Sequence, residues 1–370
     1  MKLCFDDRQS FGDTKPMSRP AIAYINLAHL RHNYRLLSEK AAGATVMAVV
    51  KADAYGHGLH LVAPALRDEG CRWFAVTDAA EGAALRRIVG TEADIVLLSG
   101  IFDAADVELC HEHRLTPAIT EPRQSKLLAA TGFRGKAWLK VDTGMNRLGS
   151  EDVLSLYATC TDQGIEIAGI MSHLACADEP DHPLNAQQAA NFQAIAATLP
   201  AGTPKSLLNS AGLVSMPQHT FNVVRPGIAL YGAEPIADRP LGLKPVMQLC
   251  AKIIQVRQVP QGESVSYGAS FTAAHDMRIA TVAMGYADGL PRVLSNCGQA
   301  YAEAAILDIV GRVCMDYCLL DISQTDIATG TEVEFWGSNL PATQVAQDAG
   351  TIAYELFTGV GQRIIRQAIE

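Results

Sequence analysis

Long apolar runs, runs of basic residues and paired cysteines are all missing from this sequence. With no apolar run of membrane-spanning length, a helical membrane protein is excluded. Acidic residues outnumber basic ones, 39 to 30, giving a net charge of −9 and arguing against a nucleic-acid partner. The nine cysteines are odd in number and scattered, and none forms a Cys-x-x-Cys pair. Neither a disulfide framework nor a metal site is indicated, and small buried thiols in a reducing cytoplasm fit better. No internal repeat and no low-complexity segment is present. Met1 to Pro20 is polar and lacks the apolar core of a signal peptide. Residues 1–19 are therefore expected to be a flexible tail, with Met17 as an alternative start.

What is present is a globular composition, with 49% hydrophobic and 19% charged residues over 370 positions. That length suits one large or two medium domains. Eight strand-like runs follow one another: Val46 to Val50, Trp73 to Thr77, Asp94 to Leu98, Pro117 to Thr120, Ala137 to Val141, Ile167 to Ser172, Lys205 to Asn209 and Val223 to Leu230. Helix-like segments separate most of them. Asp78-Ala-Ala-Glu81 has the spacing of a capping box, with aspartate in the place of Ser or Thr. Eight strands alternating with helices predict a (β/α)₈ barrel over residues 20–241. From Val246 the chain becomes β-rich, in Gln248 to Val256, Met277 to Met284, Ala304 to Val313, Cys318 to Ile322 and Glu332 to Trp336. A helix is expected over Thr343 to Phe357, so residues 242–370 read as a second, β domain.

The most informative stretch is Thr45-Val-Met-Ala-Val-Val-Lys-Ala-Asp-Ala-Tyr-Gly-His-Gly58. It places Lys51 where a buried strand ends, which is where such barrels keep their chemistry. Burial lowers the pKa of a lysine and makes its amine nucleophilic. Tyr55 with Gly56 and Gly58 suggests close backbone approach to an anion. From the residues alone, Lys51 could equally be a strand-end lysine reaching solvent. The stretch resembles the pyridoxal phosphate lysine motif of bacterial alanine racemases, and further segments match that family in order.

In Lys140-Val-Asp-Thr-Gly-Met-Asn-Arg-Leu-Gly149, residue types alone offer Arg147 as an anion binder or as a surface arginine. The resemblance implies that Arg147 lies beside the phenolic oxygen of the cofactor and the substrate carboxylate, held by a carbamylated Lys140. His173, in Met171-Ser-His-Leu-Ala-Cys-Ala-Asp178, reads alone as a satisfied core histidine. In the family it links a tyrosine base to a ring-facing arginine. Asn209 and Ser210, in Leu208-Asn-Ser-Ala-Gly212, are either a helix cap or, by resemblance, cofactor-phosphate contacts. In Val224-Arg-Pro-Gly-Ile-Ala-Leu-Tyr-Gly232, the family sets Arg225 against the pyridine nitrogen, and Gly227 and Ile228 at the phosphate. The alternative is a structural Arg225 paired to a carboxylate.

The β domain carries Tyr267 in Val265-Ser-Tyr-Gly-Ala-Ser-Phe271, Tyr286 in Met284-Gly-Tyr-Ala-Asp-Gly-Leu-Pro-Arg292, and Met315 and Asp316 in Gly311-Arg-Val-Cys-Met-Asp-Tyr317. Without the resemblance these tyrosines are sheet-surface or packing residues, as is Tyr354. With it, Tyr267 is the base opposite Lys51, and Tyr286, Met315 and Asp316 contact substrate. All four come from the other subunit of a head-to-tail homodimer. Tyr354 then reaches the phosphate and narrows the substrate pocket.

The resemblance runs from about Ala21 to Gln362. It departs at the tail and at Thr358-Gly-Val-Gly-Gln-Arg-Ile-Ile-Arg366, where the family has Val-Pro between two arginines. It implies a cytoplasmic racemase that uses pyridoxal phosphate and alanine. Such an enzyme supplies D-alanine for peptidoglycan or catabolises alanine. A related decarboxylase would carry an acidic residue in place of Arg225. A barrel-only cofactor carrier would lack residues 242–370.

Overall fold

The computed structural model describes residues 19–370. The expected tail lies outside the described residues apart from Arg19, and so does Met17. Strand β1 (Ala21–Asn26) and helix α1 (Leu27–Lys40) precede the barrel. The barrel strands are β2 (Thr45–Val49), β3 (Trp73–Val76), β4 (Asp94–Leu97), β5 (Thr116–Ile119), β6 (Lys136–Lys140), β7 (Glu166–Met171), β8 (Lys205–Ser206) and β9 (Val223–Val224). They pair in parallel in the order β8-β7-β6-β5-β4-β3-β2-β9. A parallel bridge between Asn209 and Arg225 closes the ring. Helices α3 (Leu59–Asp68), α4 (Ala79–Val89), α5 (Ala104–Glu112), α6 (Pro122–Ala130), α7 (Val153–Asp162), α8 (Pro183–Ala197) and α9 (Ser210–Ser215) lie between them. Each strand is buried on both faces, so it reads as a continuous apolar run rather than an alternation. The chain is thus a (β/α)₈ barrel followed by a β-rich domain.

The second sheet holds β10 (Met247–Val259), β13 (Met277–Val282), β14 (Gln299–Ala302), β15 (Ala305–Asp308), β16 (Cys318–Asp321), β17 (Glu332–Trp336) and β18 (Ile365–Ile369). Strand β1 joins this sheet too, antiparallel to β10 and parallel to β18. The chain therefore starts in one unit, crosses to the barrel and returns. No described helix is long and apolar enough to cross a membrane.

Several expected elements are shorter or broken, and Lys205 to Asn209 is strand only over Lys205–Ser206. The run Val223 to Leu230 is strand only over its first two residues, because Pro226 lacks an N–H for the ladder. A 3₁₀ turn, Ile228–Tyr231, follows. Of Ala304 to Val313, only Ala305–Asp308 is strand, pairing as β15 with β14 in a hairpin. The helix expected over Thr343 to Phe357 is two, α10 (Ala342–Asp348) and α11 (Ala353–Gly359), broken at Gly350 with φ +66°.

Between β2 and α3 the chain makes a left-handed helical turn, α2 (Lys51–Tyr55). Ala52, Asp53, Ala54 and Tyr55 have φ of 52°, 54°, 55° and 53°. Each such non-glycine residue costs about 1–2 kcal/mol. Contacts with the second domain offset that cost. A Cβ on Gly56 would lie 2.1 Å from the Phe357 carbonyl oxygen, so only glycine fits. Arg366 Nε donates to the Gly56 carbonyl at 3.0 Å, while its Nη atoms donate to the carbonyls of Val360, Gly361 and Ile364. The close approach read in Gly56 is thus to the protein's own second domain, while Gly58, at φ +90°, lies nearest to His60 of the barrel domain.

His57 is fully buried beside the rings of Tyr231 and Phe357. Its Nδ1–H donates to the Tyr55 carbonyl at 2.9 Å, and Nε2 has no partner. Burial drives its pKa down to about 3. The unfolded chain, with an ordinary histidine pKa of about 6.5, then binds the extra proton. Stability present above pH 6.5 should be lost as pH falls toward 3, at up to about 1.4 kcal/mol per pH unit for this one group. Urea unfolding between pH 7 and 4 should show a pH slope that is smaller by one proton in His57→Phe; an unchanged slope would contradict this assignment.

Candidate active site

A cavity of about 810 Å³ opens at the carboxyl ends of the barrel strands. Lys51, Tyr55, Lys140, Arg147, His173, Asn209, Ser210, Arg225, Gly227, Ile228 and Tyr354 all line it, which brings together eleven of the residues singled out in the sequence. Tyr354 comes from the second domain of the same chain, together with Ile352, Glu355 and Thr358. Its ring lies 5.9 Å from that of Tyr55.

The cavity is strongly cationic. Lys51 leaves the end of β2, and burial and then Arg147 lower its pKa, against the opposing charge of Glu81. Lys140 ends β6 and donates from Nζ to the Leu98 carbonyl at 2.9 Å. Burial, followed by Arg225, Arg147 and Lys51, brings its pKa to about 8. Arg147 sits in a loop whose shape is set by Asp142, which accepts N–H bonds from Gly144, Met145 and Arg147. Burial pushes the Asp142 carboxyl up, but these backbone donors more than offset it and hold its pKa low.

Arg225 is buried without a carboxylate partner among the described residues. It donates to Ser206 Oγ and the Ser172 carbonyl at 2.5 Å each, and to the Leu207 carbonyl at 3.3 Å. The carboxylate-paired alternative is therefore not what this chain builds. Burial pulls the guanidinium down to about 10, below the ordinary arginine range, and leaves it cationic at neutral pH. Its Nη2 lies 3.5 Å from His173 Nδ1. Burial, then the charges of Arg225, Arg147, Lys140 and Lys51, hold His173 at about 3, so the ring is neutral. A guanidinium only donates, so Nδ1 carries the lone pair and Nε2 the proton.

Opposite the cations is a small polar cradle. Ser210 opens α9, with Asn209 as its side-chain cap to the Gly212 N–H. Ser210 Oγ accepts from the Gly227 N–H at 2.9 Å and from the Ala229 N–H at 3.3 Å. A Cβ on Gly227 would lie 2.4 Å from Tyr55 Oη. Side-chain-free backbone, a helix start and two hydroxyls in one place suit a phosphate-sized anion.

Four expected site residues lie elsewhere. Tyr267, Met315 and Tyr286 are 73%, 53% and 42% exposed, and with Asp316 they lie outside the cavity. Val293 and Tyr317 are further exposed large apolar residues of the second domain. A buried carboxylate organises the loop of Met315 and Asp316. Asp288 accepts from Arg19 Nη2 and Arg363 Nε at 2.6 Å each and from the Gly285 N–H at 2.8 Å. Arg363 continues to Asp316 Oδ1 at 2.8 Å and to the Met315 carbonyl. Arg19 also donates to the Asp316 carbonyl. Sequence reasoning missed this network, because residues 19, 288 and 363 meet only in the fold. It also missed Asp142, whose place before Thr-Gly was the available signal for a loop-forming aspartate.

The sequence matches a model of the alanine racemase N-terminal domain over residues 25–235 and of the alanine racemase C-terminal domain over residues 246–368. It is similar to the catabolic alanine racemase of Agrobacterium fabrum, with 43% identity over 94% of this chain and 91% of that protein. It is 39% identical to the biosynthetic alanine racemase of Pseudomonas aeruginosa, over 94% of this chain and 99% of that one. The crystal structure of the Pseudomonas enzyme superposes with a TM-score of 0.90 at 38% identity, covering 95% of this chain and 100% of that one. That of alanine racemase from Bartonella henselae with covalently bound pyridoxal phosphate gives 0.89 at 35% identity, covering 95% and 99%.

The cradle makes a direct prediction. Gly227→Ala should push a methyl into Tyr55 and reduce retention of pyridoxal phosphate, read by absorbance after dialysis. Tyr55→Phe in the same chain should restore part of it. Full retention in Gly227→Ala would show that the anion sits elsewhere.

Proposed function

The chain belongs to the alanine racemase family, and from that premise we propose that Lys51 and Tyr267 are the two bases that interconvert L- and D-alanine. The enzyme is a pyridoxal-phosphate-dependent isomerase. The observation that carries the reading is the cavity itself. One amine of lowered pKa stands among cations at the strand ends, facing a cradle shaped for an anion.

These residues fit the cofactor. Lys51 offers the amine for its aldehyde, while Tyr55, Ser210, Gly227, Ile228 and Tyr354 would hold the phosphate, with Asn209 capping the helix beneath it. Arg225 would face the pyridine nitrogen, with His173 linking it to the tyrosine base, and Arg147 would face the phenolic oxygen. When bound, the cofactor supplies an electron sink that makes the substrate Cα–H acidic. Arg225 offers only N–H donors, so it cannot stabilise a proton on the ring nitrogen, and proton traffic is confined to Cα.

Arg147 and the main-chain N–H of Met315 bind the substrate carboxylate. Lys51 Nζ takes the Cα proton of D-alanine, and Tyr267 Oη takes that of L-alanine from the opposite face. Tyr267, Tyr286, Met315 and Asp316 face outward from their own chain, so we assign them to the cavity of a second copy. The result is a head-to-tail homodimer with two shared sites. Tyr354 and Tyr286 would narrow the side-chain pocket in favour of alanine. The cytoplasm fits the free thiols, all eight of which are unpaired among the described residues. Both roles, supply of D-alanine for peptidoglycan and catabolism of alanine, suit this chemistry.

Lys140 is a carbamate in this reading. Its pKa of about 8 leaves neutral amine to take up carbon dioxide, and the resulting anion would sit between Arg147 and Arg225. Mild intact-mass analysis should show the added mass of one carbon dioxide, lost on acidification; an unmodified mass would remove this assignment.

L-alanine incubated with the holoenzyme in deuterated water should give D-alanine carrying deuterium at Cα. Lys51→Ala should lose nearly all turnover and covalent cofactor. Tyr267→Phe should suffer most in the L-to-D direction. Cofactor-loaded protein that exchanges no Cα proton would refute the racemase reading.

A further inference from the structure

We propose that Glu81 is a positioning residue for Lys51, its carboxylate clamping the left-handed turn that sets where the lysine amine points. Asp78 caps α4 by accepting the Glu81 N–H at 3.0 Å. In a reciprocal capping box, the glutamate three residues on would return to the cap's own N–H. Here it does not. Glu81 Oε2 accepts the Thr77 N–H at 2.8 Å, and Oε1 accepts the Ala52 N–H at 2.7 Å. Ala52 directly follows Lys51 and is the first of the four left-handed residues. Its N–H has no partner inside the turn, as at any helix start. Thr77 follows β3, and both Thr77 and Ala52 line the cavity. One carboxylate thus ties the end of β2 to the end of β3 beside the reactive amine.

The demand is for two acceptors at once. A carboxylate presents two oxygens to two N–H donors, whereas an amide would present one oxygen and one opposing N–H₂. Glu81 also differs in sign from its neighbours around Lys51. Arg147 and Lys140 face the amine from the end of β6 and the loop beyond it, and His173 faces it from the end of β7. Glu81 is the anion on the α4 side, and it supports the protonated form of Lys51 against burial and Arg147. Phe357 and Arg366 brace the far end of this costly turn at Gly56, and Glu81 holds its first residue beside Lys51.

The inference rests on the reading of Lys51 as a base. The test compares the holoenzymes of wild type, Glu81→Gln and Asp78→Ala. Asp78 caps α4 without touching Ala52, so its variant isolates the helix-cap contribution. In Glu81→Gln, kcat should fall about tenfold with KM nearly unchanged, as for a lost hydrogen bond to a charged group. The acidic limb of the pH profile with D-alanine, where Lys51 takes the proton, should move to lower pH. The limb with L-alanine should stay in place. Amide hydrogen exchange in the peptide containing Ala52 should accelerate. Asp78→Ala should lower Tm and leave all three readouts as in wild type. If Glu81→Gln does not fold, Glu81→Asp keeps the charge one methylene short. It should then speed exchange at Ala52 without moving the limb. A Glu81 variant that lowers Tm as Asp78→Ala does, with exchange, kcat and limb unchanged, overturns the proposal. A wild-type protein that fails to racemise alanine would remove the functional reading, while exchange at Ala52 would still decide the clamp.

Discussion

Four cations share one cavity. Lys51, Lys140, Arg147 and Arg225 all line it, and none of the four forms an ion pair among the described residues. Burial, reinforced by this shared charge, lowers the pKa of both lysines and keeps His173 neutral, and the site is left short of negative charge. An anionic cofactor and a carboxylate substrate answer that shortage. The barrel allows the crowding because the cations arrive from the ends of three strands, β2, β6 and β9, and the two most buried are held by uncharged groups. Arg225 is fixed by carbonyls and a hydroxyl, Lys140 by the Leu98 carbonyl, and the Arg147 loop by Asp142 beneath it.

The second domain completes this arrangement in two ways. Within its own chain it braces the left-handed turn through Phe357 and Arg366, and it sends Tyr354 into the cavity. On its outer side it holds Met315 and Asp316 in a fixed loop through Asp288, Arg19 and Arg363. Tyr267, Tyr286, Met315 and Asp316 do not line the cavity of their own chain. In the proposed two-fold assembly, these residues would enter the cavity of the second copy.

Much of this was legible in the sequence. The barrel strands could be read because a parallel sheet buried on both faces gives continuous apolar runs, and their spacing gives the barrel. Lys51 stood out by its place at a strand end, and Asp78 with Glu81 by its capping spacing. Local conformation was much less legible. No residue in Ala52-Asp-Ala-Tyr55 announces a left-handed turn, since it is imposed by contacts with Phe357 and Arg366 some 300 positions away. Gly56 and Gly58 read as anion-binding because glycine marks any close approach, whether to a ligand or to backbone. The diversion of Glu81 from its own helix to Ala52 is likewise a tertiary fact. Tyr267, Tyr286, Met315 and Asp316 are assigned by resemblance alone, since on one chain nothing in their spacing or surroundings marks them as part of a site.

The central claim is that the working site needs Lys51 from one copy and Tyr267 from another. Co-expression of Lys51→Ala chains with Tyr267→Phe chains tests it most directly, with racemisation measured on the purified mixture against each variant alone. If the site is shared, half the dimers are mixed and each holds one complete site, so about a quarter of wild-type activity should return. Activity no greater than that of the two variants alone, in a mixture shown by mass to contain mixed dimers, would contradict the account and place both bases on a single chain.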